Sequence, residues 1–125
     1  MPQQLEYTQN MKGWPSITKT AAYTVLTGDS GKLIIANHAS TQVEFTLPAV
    51  ADCKGLAFFF ASLGAASMKI IGGTVDKMVI KNDAAADSAS YQTTSEKIGA
   101  ACMVIGDGSN YYFFETSGCT VTVGT

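Results

Sequence analysis

The chain contains no arginine. Its eight basic residues are all lysine, set against ten acids for a net charge of −2. Arginine is the side chain that reads phosphates and guanine edges bidentately. No basic stripe stands in for it, so nucleic acid and anionic membrane drop out of the expected partners. Charge of either sign is scarce: 14% of residues are charged, against about 25% in ordinary soluble chains. A small monomer so poor in ionised groups covers its surface badly, and association with copies of itself or with a larger assembly relieves that. Histidine and tryptophan occur once each, as His38 and Trp14. The three cysteines, Cys53, Cys102 and Cys119, are odd in number and widely spaced, which excludes a CxxC pair or a zinc-ligand pattern. Free thiols in a reducing cytosol, acting as small buried hydrophobes, are the expected state, with a Cys53–Cys119 bridge as the alternative. No run approaches the roughly 20 apolar residues that span a bilayer. The opening MPQQLEYTQN lacks the basic and apolar regions of a signal peptide.

What the chain does have is short apolar runs punctuated by turn residues. At 125 residues and 46% hydrophobic it is one domain, large enough to bury a core without disulfides or metal. Tyr23 to Pro48 sets the style. Tyr23–Leu26 has strand-favouring types, Asp29-Ser30-Gly31 supplies turn chemistry, and Leu33-Ile34-Ile35 is apolar on both faces. After the polar break Asn37–Ser40, Val43, Phe45 and Leu47 alternate with Glu44 and Thr46 until Pro48 closes the run.

The pattern continues. Leu56–Ser62 is the most apolar stretch and, with three consecutive phenylalanines, predicts a strand that is either central or buried between a core and a partner. Further strands are expected at Met68–Ile71, Val75–Lys81, Ile98–Ile105, Tyr111–Thr116 and Cys119–Val123, with Gly106–Asn110 as a hairpin loop. About nine strands at roughly 8–12-residue spacing predict an all-β fold, an antiparallel sandwich resembling a jelly roll. No strict repeat is present, which argues against a solenoid. Two stretches stand apart. Residues 1–20 are polar and contain Pro2 and Pro15, so they read as an extended N-terminal arm preceding a domain at 21–125. Asn82–Glu96 is rich in Ala, Ser and Thr and reads as a surface loop.

No motif for catalysis emerges. His38 follows Asn37 in a turn, with no nucleophile signature near it. The aspartates fall mostly at turns, where they cap backbone. Asn82, Asp83 and Asp87 come closest to a calcium loop, but the alanines between supply no ligands. The expectation is therefore no enzyme, no cofactor and no metal. Contact residues are a different matter. Trp14 either packs back to plug its own sandwich or anchors a neighbouring subunit, as tryptophan does at contact hot spots. In Tyr111–Phe114, alternation sends one pair of rings to the core and leaves Tyr112 and Phe114 for a partner or solvent. Leu5, Tyr7, Trp14, Tyr112 and Phe114 are the candidate contacts with a neighbouring subunit or a larger partner.

The run Tyr-Thr-Val at Tyr23–Val25, Asp-Ser-Gly-Lys-Leu-Ile at Asp29–Ile34 and Asn37, followed by Thr46-Leu47-Pro48, resembles small β-modules of tailed-bacteriophage virion proteins. Gly55–Phe58 and the Gly-Asp-Gly-Ser-Asn-Tyr-Tyr hairpin at Gly106–Tyr112 extend the likeness. Such modules occur in tail fibres, tailspikes and capsid decoration (cement) proteins. The resemblance implies a virion structural protein, commonly trimeric. Taking the chain as the whole product, it implies a decoration protein on the outer capsid surface, assembled in the host cytoplasm, whose partners are its own copies and the major capsid protein. The alternative it implies is a fibre or receptor-binding module that recognises host glycan.

Overall fold

A computed structural model describes residues 14–125. Leu5 and Tyr7 lie outside the described residues. The twelve strands are β1 (Ser16–Lys19), β2 (Tyr23–Thr24), β3 (Leu33–Ala36), β4 (Val43–Thr46), β5 (Ala57–Ser62) and β6 (Met68–Ile71), then β7 (Met78–Ile80), β8 (Asp83–Ala86), β9 (Ser88–Ser90), β10 (Ala101–Gly106), β11 (Tyr111–Glu115) and β12 (Thr122–Gly124). They form a seven-stranded sheet, β1-β3-β5-β10-β11-β7-β8, and a five-stranded sheet, β12-β9-β6-β4-β2. The two pack as an all-β sandwich. Phe60 of one sheet meets Phe45 of the other, with ring centroids 5.3 Å apart.

The expected sandwich is present, but its sheets are mixed rather than antiparallel. The first six strands alternate between the sheets, so β1, β3 and β5 run parallel in one while β2, β4 and β6 run parallel in the other. The chain thus winds three coils before the antiparallel strands join. Asp29-Ser30-Gly31 looks like a hairpin turn in sequence. Here it belongs to the corner that carries the chain from one sheet to the other, so the next strand of a sheet enters from the same end. This is solenoid-like winding without a sequence repeat. The register advances 17 residues from Ser16 to Leu33 and then 26 from Leu33 to Phe59. Unequal corners hide the period.

Nine strands fall where the apolar pattern predicts them, and three more come from the stretches read as irregular. Ser16–Lys19, within the segment expected to be an arm, pairs with β3 at the sheet edge. The Asn82–Glu96 loop is corrected more sharply, because it contributes β8 and β9. Ala86, Ser88, Ala89, Ser90 and Tyr91 are all buried. Lys81 and Asn82 have φ of +43° and +68°, the pair of positive values that a tight type I′ hairpin needs between β7 and β8. Small side chains mislead here: alanine and serine strands carry too little apolar signal to register, yet β9 fits between β6 and β12 and β8 pairs with β7.

The core fills the space between the sheets, with Ile34, Phe45, Phe58, Phe60, Ile70 and Met78 almost wholly shielded from solvent. Each such side chain contributes about 1.5–3 kcal/mol on burial. Cys53 and Cys102 are buried within the core, and all three cysteines are free thiols. Two glycines of the Gly106–Asn110 hairpin serve different needs. Gly108 takes φ +91°, whereas Gly106 lets Cys53 approach: a Cβ there would lie 2.5 Å from the Cys53 carbonyl oxygen. Backbone cannot yield as a flexible side chain can. Gly106→Ala is therefore expected to lose about 1–3 kcal/mol. Gly28→Ala, whose Cβ would meet nothing within 4 Å, should change stability by under about 0.5 kcal/mol. Urea titrations of both variants check the contrast.

Candidate assembly surface

The two sheets differ on their outward faces. On the five-stranded sheet the outward positions are mostly polar: Glu44 stands opposite Lys69 and Thr24 opposite Thr46, with Ile71 the apolar exception beside Thr46. That is the ordinary half-solvated pattern. On four neighbouring strands of the seven-stranded sheet, β3, β5, β10 and β11, the outward positions are apolar, while the edge strand β1 continues the rows with Ser16 and Thr18. Cross-strand register lines up Leu33 (β3), Phe59 (β5), Met103 (β10) and Phe114 (β11) in one row across four neighbouring strands. Ile35, Ala61 and Ala101 form a row on one side of it. Ala57, Ile105 and Tyr112 form the row on the other. No charged side chain occupies an outward position in these rows.

The inward halves of the same strands explain the arrangement. Phe58, Phe60, Cys102, Val104, Tyr111 and Phe113 are buried, and strict alternation sends their neighbours outward. A strand reading Phe-Phe-Phe cannot satisfy the core without presenting Phe59 on the far side. Trp14 lies on this outer face. Its ring meets Phe59 edge-on, centroids 5.3 Å apart and planes at 88°, an attractive geometry for aromatic pairs. It plugs no end of the sandwich, and it is still 63% exposed. Phe114 is 46% exposed and Tyr112 half-buried. Three of the five residues singled out from sequence therefore share one face. Phe59 and Met103 were not singled out, although their outward direction follows from alternation once the core face is known.

The polar side chains are mostly engaged by backbone. Asp29 is buried, and its carboxylate accepts from the Tyr23 hydroxyl at 2.6 Å, the Leu26 amide at 3.0 Å and the Lys32 ammonium at 3.1 Å. His38 accepts through Nδ1 from the amides of Ser40 and Thr41 at 3.1 and 2.8 Å, which secures its turn. Asp107 accepts from the Ser109 and Asn110 amides and from the Tyr112 hydroxyl, and the amides foremost hold its carboxyl below the usual range. Asp83 and Asp87 bond to the amides of Ala85 and Asp76. Glu115 accepts from Ser117, Gly118 and the buried Tyr91 hydroxyl. Burial pushes the Tyr91 hydroxyl up, with the Cys102 thiol and Glu115 adding to it.

Compared with family models, with curated proteins and with solved structures, the chain matches none of them.

Asp29 gives a pH test of the corner that feeds the apolar sheet. Burial by itself would raise its pKa, but the Tyr23, Leu26 and Lys32 donors outweigh it and the net shift is downward. The bond to Asp29 in turn pushes the Tyr23 hydroxyl up to about 12. A carboxylate whose folded pKa lies below its unfolded one stabilises fully above the unfolded value of about 4, and its contribution fades as pH falls through the folded value. Asp29→Asn is expected to lose about 1–3 kcal/mol at neutral pH. It should also flatten the acid limb of the stability curve below about pH 4, as followed by chemical denaturation across that range.

Proposed function

We propose that this chain is a structural protein of a tailed-bacteriophage virion, a head decoration (cement) protein that binds the outer capsid surface as an oligomer and strengthens the shell. The observation that carries the reading is the contrast between the two sheet faces. One is polar apart from Ile71, and the other is apolar across four strands. An apolar, uncharged face four strands wide is costly for a free monomer and useful for one seated in an assembly. The scarcity of charge along the whole chain points the same way, and the resemblance of Tyr23–Pro48 and Gly106–Tyr112 to phage β-modules supplies the setting. On this reading the partners are further copies of the chain, three by that resemblance, and the major capsid protein.

The mechanism is mechanical. Each oligomer sits across joints between capsid subunits and adds contact area there. Many modest contacts repeated over a closed shell oppose the outward pressure of packaged DNA without any single strong site. No chemistry is required of the chain. The burial of Cys53 and Cys102 and the carboxylates engaged at turns suit a rigid module.

The experiment is recruitment. Purified heads stripped of their decoration protein, mixed with the chain and sedimented, should carry it into the pellet and then release DNA only at a higher temperature. Heads that pellet without the chain would sink the reading. Removal of residues 1–13, which leaves β1 and its pairing with β3 in place, is expected to weaken recruitment at least about tenfold, a loss of about 1.4 kcal/mol. Unchanged affinity would remove Leu5 and Tyr7 from the contact.

A further inference from the structure

We propose that the outward face of the seven-stranded sheet is covered by the same face of a second copy of this chain. The inference deepens the assembly reading above by naming the occupant, and it depends on that reading only in treating this face as an interface. It rests on charge matching and on the position of Trp14.

Across β3, β5, β10 and β11 the outward side chains include no acid and no base, and they centre on Leu33, Phe59, Met103 and Phe114. A partner that buried this surface with a charged patch would strip water from charges and leave them unpaired, which costs several kcal/mol per ion. The occupant must therefore be as free of charge as the face itself. A second copy meets that condition by identity. Its other broad face does not, because Glu44 and Lys69 stand on it, so the contact pairs like face with like.

The dimensions suit sheet packing. Strands lie about 4.8 Å apart and sheets stack about 10 Å face to face, so side chains the size of Phe59 and Met103 interdigitate across the gap. Trp14 already touches Phe59 along one edge while leaving 63% of itself exposed. In the assembly that remaining surface is covered by the neighbour. A pair stacks two such faces. A trimer turns three of them toward a common axis, and the same residues are buried. Four strands make a small footprint by the standard of stable interfaces, so the association should depend on concentration.

The test is the solution mass of the full chain by sedimentation over a range of concentrations, for the wild type and for Met103→Glu. The wild type is expected to associate. Met103→Glu sets a charge at the centre of the face and should raise the dissociation constant at least about a hundredfold, with an unchanged circular dichroism spectrum. Should Met103→Glu fail to fold, Phe114→Asp, at a more exposed position of the same row, serves instead. Thr46→Glu on the polar sheet should associate as the wild type does. A wild type that is monomeric at every concentration overturns the inference. So does a charge-bearing variant that folds and associates undiminished. A monomer that binds an apolar dye only after residues 1–13 are removed would assign the face to the chain's own first residues, and overturns it as well. A chain that self-associates through this face yet ignores viral heads leaves the inference standing and removes the virion reading.

Discussion

The structure depends on one strand being apolar on both sides. β5 lies between β3 and β10, and its Phe58 and Phe60 enter the core while Phe59 leaves it. Phe60 meets Phe45 across the sandwich, which ties the sheets together. Phe59 meets Trp14 on the other side, which ties the start of the described chain to the outer face. The neighbours follow suit: Cys102 and Val104 point in while Met103 points out. One strand thus sets both where the core lies and which surface is left apolar.

The winding of the first half serves the same end. Three parallel coils deliver β1, β3 and β5 side by side to one sheet and β2, β4 and β6 to the other. Parallel neighbours need a long connection for each return, and here the opposite sheet is that connection. Short corners suffice, held by acceptors such as Asp29 and by glycines placed where backbone approaches backbone. Gly64 and Gly73 are further instances, since a Cβ on either would fall within 2.5 Å of the backbone of His38 or Leu47. The polar inventory is spent on securing corners. For a module whose proposed task is to stay rigid under load, that is the useful place for it.

The outer faces of a sandwich are what it offers to other molecules. Here one carries Glu44, Lys69 and threonines with a single Ile71, while the other carries leucine, phenylalanine and methionine in register. Hydrophobic association is non-directional, so register alone would not select a partner. In the proposed assembly charge would do the selecting, because an uncharged face excludes charged occupants by the cost of desolvating them.

Sequence by itself determined the class of fold, the position of nine strands and the interior place of β5. These follow from period-two alternation and turn residues, which act within a few positions and survive without tertiary context. It also marked Trp14, Tyr112 and Phe114, through residue type and alternation. Only the tertiary structure decided which strands pair and in which direction, because a turn such as Asp29-Ser30-Gly31 looks the same whether it reverses a hairpin or rounds a corner between sheets. It alone revealed β8 and β9; in β9 the alanine and both serines are buried by close neighbours rather than by their own hydrophobicity. And it alone placed Phe59, Met103 and Phe114 in one row, since alignment across strands is a property of register, and register is fixed by the packing of both sheets at once.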